Sequence, residues 1–229
     1  MEVGDFNRDG KLDLAVVNRA ANDVSILLGK GDGTFVTAPR YAADSDPYSV
    51  AMGDFNGDGK LDLAVANLNS NNDVSILLGA GDGTFGPATN FAVGANPSAV
   101  AVGDFNGDHK LDLALVTWPD SGLSDVAILL GNGDGTFGSA TNYFPVGYTA
   151  LSLAIGDFNG DGKPDIAVTN ACNDAVCNTG NVSILLGNGD GTFQTGASYP
   201  LGVEPISVAI GDFNRDGKLD LAVANFRGG

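Results

Sequence analysis

Hydrophobic and polar positions alternate along this chain in short bursts rather than in helical stripes. In KLDLAVAN (60–67), Leu61, Leu63 and Val65 fall on one side of an extended strand and Asp62, Ala64 and Ala66 on the other, because successive strand side chains point to opposite faces. Runs of similar size surround it: PYSVAMGDF (47–55), NDVSILLG (72–79) and TFGPATNFAVG (84–94), bounded by Gly, Asn and Asp as strands are. In chain order these are strands A (47–55), B (60–67), C (72–79) and D (84–94), and they predict a unit of four antiparallel strands. With apolar side chains on both faces, such a sheet needs cover on both, which a stack of like sheets supplies and an isolated one lacks.

The unit recurs. An acidic turn opens at Asp5, Asp54, Asp104, Asp157 and Asp212, and a second marker, GDGTF, ends at Phe35, Phe85, Phe137 and Phe193. A period of about 50 residues marks a repeat architecture, and the expected fold is all-β: a β-propeller of four-stranded antiparallel blades, with the acidic loops between strands A and B. The chain reads as one propeller domain or propeller fragment over 1–229, with repeats at about 1–46, 47–96, 97–148 and 149–204 and a partial one at 205–229. That makes four near-complete blades plus a C-terminal half blade carrying only A and B. MEVGDF matches only the end of YSVAMGDF, so the chain is read as starting inside a repeat, with any export signal outside it.

Composition sharpens this picture. The 34 glycines and nine prolines, with no collagen period, suit many tight turns, and 43% apolar residues suffice for a core. The formal charge of −17 is local in origin: the five turns hold 15 of the 28 acids, and the other 13 nearly balance the 11 bases. Such a field repels nucleic acid and anionic membranes, and no apolar run approaches the roughly 18 residues of a membrane span. Cys172 and Cys177 either staple one loop as a disulfide, fitting an oxidising compartment, or stay as two free thiols.

Each acidic turn reads as a metal cage. In DFNGDGKLD, side-chain oxygens stand at positions 1, 3, 5 and 9, Gly fills position 6, and the position 7 carbonyl can add a ligand. Hard oxygens converging from alternate residues suit Ca²⁺, which takes six to eight of them. The candidate ligands are Asp5, Asn7, Asp9, Lys11 and Asp13; Asp54, Asn56, Asp58, Lys60 and Asp62; Asp104, Asn106, Asp108, Lys110 and Asp112. The last two turns supply Asp157, Asn159, Asp161, Lys163 and Asp165, then Asp212, Asn214, Asp216, Lys218 and Asp220, each Lys acting through its carbonyl. Up to five calcium ions are expected. Without a cation, three apposed carboxylates repel one another, and a bare hairpin needs only one or two of these residues. The bidentate Glu and flanking helices of an EF-hand are missing.

In GDGTF, by contrast, no helix pattern follows the glycines and no Lys-Ser/Thr pair is present, so Asp82-Gly83 reads as a hairpin turn and Phe85 as a packing residue. The pairing of VAVGDFNGDHKLDLA (100–114) with VSILLGNGDGTF (182–193) resembles the FG-GAP or VCBS repeat family, which includes integrin α-subunit propeller blades and some fungal and bacterial lectins. The resemblance implies a calcium-stapled propeller, usually seven-bladed, working outside the cell in adhesion or glycan recognition. This chain is too short for seven blades. It is a fragment, closes with fewer blades, or pairs with another copy of itself through the open edge of LDLAVAN (219–225).

An antiparallel meander puts the acidic and GDG turns on one face and the B–C and D–A loops on the other. The B–C loops NRAAND, NLNSNND, TWPDSGLSD and NACNDAVCNTGN differ in length and chemistry, and varied loops on a rigid scaffold are where binding sites are commonly built. Trp118, Tyr48 and Tyr148 on that face are therefore candidate contacts for an extracellular protein or glycan, with packing as the alternative role. No convergent acid–base constellation is visible, so an enzyme is not expected, and a structural self-assembly unit is the competing reading. His109 stands at position 6 of the third turn, where the others have Gly. This turn should be the weakest site, and a calcium titration across single-turn knockouts checks it; equal affinities would contradict the expectation.

Overall fold

The computed structural model describes residues 1–68, 72–119, 122–172 and 179–227, with the backbone alone at 142–145 and 227. The fold is all-β, with one short 3₁₀ turn at Arg19–Ala21 among the described residues. The first repeat comprises β1 (Glu2–Gly4), β2 (Asp13–Asn18), β3 (Asp23–Gly29) and β4 (Phe35–Ala42), paired antiparallel in that order. The second repeats the pattern with β5 (Pro47–Gly53), β6 (Asp62–Asn67), β7 (Asp73–Leu77) and β8 (Thr89–Ala92).

Strand D of this repeat is shorter than expected, because Gly86-Pro87 cannot sustain the ladder and Phe85 keeps only an isolated bridge to Gly79. The third repeat comprises β9 (Pro97–Gly103), β10 (Asp112–Thr117), β11 (Leu123–Leu129) and the first half of β12 (Thr141–Gly156). The fourth uses the second half of β12, then β13 (Asp165–Cys172), β14 (Asn181–Gly187) and β15 (Phe193–Pro200).

Here the structure corrects the expected separation. Repeats three and four share β12 as one sheet of seven strands, and Tyr148 pairs with both Leu123 and Cys172. The residues expected to loop between D and A keep ladder partners on both sides, while Gly147, at φ 143°, and Thr149, at φ 53°, turn the backbone at the changeover, the first in a region glycine tolerates. A last pair, β16 (Val203–Gly211) and β17 (Asp220–Arg227), stands as a two-stranded half unit.

The sheets stack in sequence order, with β5 against β9, β9 against β12 and β12 against β16. The large-faced side of each strand B covers the small-faced side of the one before. Leu63 and Val65 pack with Ala15, Val24 and Ile26, and Leu113 and Leu115 with Ala64 and Ala66. Ile166 and Val168 pack with Ala114 and Val116, and Leu221 with Ala167. Covered on both faces, β6, β10 and β13 are buried at every residue, whereas β2 is not.

The joint between repeats is a knob in a hole. Where strand A ends in Gly, a Cβ at Gly4 would lie 2.8 Å from Leu61 Cδ1 of the next repeat, at Gly53 2.6 Å from Leu111 Cδ1, and at Gly156 2.6 Å from Leu219 Cδ1. In the fourth repeat Pro164 replaces the leucine and no knob enters at Gly103. The continuous β12 ties those two repeats together instead. Trimming the partly buried knob with Leu111→Ala should cost about 1–3 kcal/mol in urea unfolding. Leu12→Ala, at a first-repeat leucine 66% exposed, should change it by no more than about 0.5 kcal/mol; equal losses would contradict the joint.

Candidate functional site

Residues 54–61 reverse the chain between β5 and β6. Asp54 accepts the Asp58 N–H on Oδ1 at 3.1 Å and the Gly59 N–H on Oδ2 at 2.8 Å. Asn56 Oδ1 accepts the Asp58 N–H at 3.0 Å. Asp58 accepts the Lys60 N–H at 3.0 Å and meets its ammonium at 2.9 Å. The same weave recurs around Asp5, Asp104, Asp157 and Asp212, so positions 1, 3 and 5 share one concave loop in all five copies. The hydrogen bond from the Lys60 side chain holds the Asp58 carboxyl below the usual carboxylate range, and the Gly162 N–H does the same for Asp157.

The reversal needs left-handed backbone at position 6, where Gly59 has φ 77° and His109 φ 65°, and also at position 4, which the motif alone did not reveal. Gly57 there has φ 73°, but Arg8 and Arg215 adopt 61° and 64°, a geometry that costs a side-chain-bearing residue free energy. His109 keeps its N–H on Asp104 at 2.9 Å while its imidazole is 95% exposed.

Position 9 also carries a bracing role that the spacing does not show. Asp13, Asp62, Asp112 and Asp165 lie fully buried beneath their loops. Asp62 accepts the Phe55 N–H at 2.9 Å and the Gly79 N–H at 2.7 Å, one on each oxygen. Asp13 bridges Phe6 and Gly29, Asp112 bridges Phe105 and Gly131, and Asp165 bridges Phe158 and Gly187. The carboxylate is thus a strut from the acidic loop to the end of strand C. In the half unit, among the described residues, Asp220 accepts from Phe213 and Asn214.

Glycine at the strand C terminus is obligatory here. A Cβ at Gly79 would fall 2.1 Å from the Leu61 carbonyl oxygen, and Gly29, Gly131 and Gly187 meet the equivalent oxygens at the same distance. Burial pushes the Asp62 carboxyl up, the Gly79 and Phe55 hydrogen bonds draw it back, and the nearby charges of Asp58 and Asp54 push it up again. Among the described residues, no three His, Cys, Asp or Glu side chains gather into a group that could hold a metal ion. The donor set suits a hard cation nonetheless: two carboxylates and an amide oxygen line each loop, over a third carboxylate within electrostatic reach.

The second marker locks onto the loop of the preceding repeat. Gly83 donates to the Phe6 carbonyl at 3.0 Å, and Gly135 and Gly191 donate to Phe55 and Phe105 at 2.9 Å. Phe85, Phe137 and Phe193 meet Phe6, Phe55 and Phe105 edge to face at 5.7, 5.6 and 5.6 Å. These phenylalanines are core, as the motif suggested.

On the opposite face, Tyr48 and Trp118 are brought together at 6.5 Å, and the Arg19 guanidinium lies 4.7 Å from the Tyr48 ring centre while pairing with Asp46. Trp118 packs partly into the core and donates its indole N–H to the Ala150 carbonyl. Tyr148 stands apart, lining a cleft of about 210 Å³ with Leu123 and Asn181. Cys172 is disulfide-bonded at the end of β13, while Cys177 and Asp120 lie outside the described residues.

Under these loops the B–C pairs of the first, second and fourth repeats are tied by a polar cluster around an Asn. Asn67 donates to Asp73 and Ser75, and Asn18 to Asp23 and Ser25. The third repeat has Thr117 and Ala127 in place of the Asn and Ser, so Asp125 is 3% exposed with an unbonded Oδ1. Burial raises its carboxyl to about 6.

Two outcomes follow. Measured in excess chelator, Asp112→Ala should cost about 2–6 kcal/mol, because it strands two buried donors at about 1–3 each. Asp220→Ala, at the exposed half unit, should cost under about 1 kcal/mol. For Asp125, the folded state binds its proton more tightly than the unfolded chain, so its contribution weakens as pH rises from 3.8 through about 6. Asp125→Asn should therefore raise Tm above pH 6 and lose that advantage toward pH 4. A Tm difference constant with pH would contradict the assignment.

Comparison with curated proteins gives no match. The FG-GAP-like repeat family matches four times, over residues 5–65, 54–115, 114–168 and 173–223. Together the matches span nearly the whole chain. The chain belongs to the FG-GAP repeat family.

Proposed function

We propose that this chain is a calcium-stapled binding module of propeller type from a secreted or cell-surface protein, recognising a protein or glycan and carrying out no chemistry of its own. The observation that carries the reading is the fivefold recurrence of one oxygen-lined loop on one face, opposite loops that differ in every repeat. A structural role alone would not require the second face to vary.

At each loop the aspartates at positions 1 and 5 and the asparagine at position 3 would hold the cation, with the position 7 carbonyl and the position 9 carboxylate completing the set. A bound Ca²⁺ supplies positive charge that removes the repulsion among the carboxylates. The residues themselves fix the loop: position 9 anchors it to strand C, and the position 2 carbonyl anchors the next repeat's GDG turn. Rigid loops on this face hold the sheets in register, and the register places Arg19, Tyr48 and Trp118 in one row on the other.

That row pairs a cation with aromatic rings, a combination suited to polar ligands with an apolar face, including sugars. FG-GAP repeats are typical of extracellular proteins, and among the described residues no helix is long and apolar enough to cross a membrane.

Each calcium site at 100 times its dissociation constant adds about 2.7 kcal/mol when the unfolded chain does not bind. A calorimetric scan should therefore show a lower Tm in EDTA that calcium, and not magnesium, restores. A Tm indifferent to both ions removes the calcium reading. Binding is tested on a glycan array and a panel of matrix proteins, where Tyr48→Ala should weaken the signal while the protein remains folded at the assay temperature; a signal untouched by that substitution would move recognition off this face.

A further inference from the structure

Thr117 and Asp125 face each other on the last rung of the third B–C pair. The first, second and fourth repeats place an Asn and a Ser around the equivalent residue, but the third has Thr117 and Ala127 there. Asp125 Oδ1 is left buried with no hydrogen-bond partner. Thr117 and Ser124 beside it are each only 1% exposed, so water reaches that oxygen when this end of the hairpin opens.

The residues flanking the rung hold a single peptide unit of the fourth repeat. Ser124, just before Asp125, accepts the Ala150 N–H at 3.0 Å, and Trp118, just after Thr117, donates its indole N–H to the Ala150 carbonyl. The Trp118 backbone is tied to the second repeat: its N–H donates to the Ala95 carbonyl at 2.8 Å, and its carbonyl accepts from the Asn96 side chain at 3.0 Å. Ala150 follows Thr149, whose φ of 53° is costly for a β-branched residue. The clasp therefore closes over a strained turn.

Among the described residues no charged side chain faces Asp125. Val93 packs with Leu115 and Ala127 on its side of the sheet, and residues 93–96 carry no ionisable group. On β10 the nearest acid is Asp112, at the far end of the strand, and β12 brings the Tyr148 phenol opposite Leu123. Arg19 and Asp46 bind each other beyond Tyr48. Burial alone raises the Asp125 carboxyl, to about 6. Below that pH the neutral acid is compatible with the closed rung; above it the carboxylate has only water to turn to, and meeting it means lifting the hairpin end.

We propose that Asp125 is a proton-operated latch on Trp118: protonated, it leaves the indole clasped to Ala150; ionised, it opens the end of the third B–C hairpin and frees the indole. Because Trp118 stands 6.5 Å from Tyr48, the aromatic row is assembled in acid and loosened near neutral pH. The latch depends neither on what that row binds nor on the acidic loops of the opposite face.

Trp118 is the only tryptophan, so acrylamide quenching of intrinsic fluorescence follows the latch. With calcium held constant, quenching should step upward as pH rises through about 6. The step should vanish in Asp125→Asn, which cannot ionise. It should persist in His109→Gly, which removes the chain's one histidine, a residue type that ionises in the same range. Thr117→Asn combined with Ala127→Ser rebuilds the cluster of the second repeat and should move the step to lower pH, because the carboxylate gains donors. Quenching that stays flat across this range in the folded wild-type chain overturns the proposal. So does a step that survives Asp125→Asn, or one that the rebuilt cluster leaves in place.

Discussion

A carboxylate buried under a hairpin is the constraint on which the rest of this structure depends. Removing an aspartate from water is costly unless each oxygen finds a donor. Asp13, Asp62, Asp112 and Asp165 satisfy that demand with one N–H from the acidic loop and one from the last residue of strand C. The bridge fixes where the loop sits relative to its own sheet. It also brings the starts and ends of strands B and C so close that the strand C terminus tolerates no side chain, which accounts for the glycine closing ILLG in every repeat.

From that anchor the order spreads outward. With the loop fixed, its position 2 phenylalanine presents a carbonyl and a ring edge at a set place, and the following repeat's GDGTF turn engages both. One recurring phrase in the sequence therefore does three jobs. It lines a loop with oxygens, braces a sheet and positions the next sheet. The alternating large and small faces of strand B fill the space between, and the loops of the opposite face, free of these duties, differ from repeat to repeat.

Much of this was legible in the chain. The period, the four-strand unit and the two-faced strand B followed from spacing and side-chain size, because a repeat writes its core pattern over and over. The packing role of Phe85 and its counterparts was legible for the same reason. The role of position 9 was not, since an aspartate at that spacing looks like another ligand and only coordinates show which donors its oxygens meet. The left-handed position 4 was hidden because arginine, not glycine, occupies it in two loops. The fusion of repeats three and four through β12 was hidden as well: the connection turns at Gly147 and Thr149 as the others do, but its flanking residues stay paired on both sides, which no turn signal reveals. On the far face, Tyr48 and Trp118 were picked out singly, whereas their contact with Arg19 depends on the stacking of three repeats.

The most direct test of the buried strut is native-state hydrogen exchange by NMR on the amides it engages. If the account holds, the amides of Gly79 and Gly131, with those of Phe55 and Phe105, exchange only through global unfolding, while the Phe213 amide on the half unit exchanges by local opening. Gly79 and Gly131 amides exchanging as fast as the exposed loop amides would show that the aspartates do not hold the repeats together.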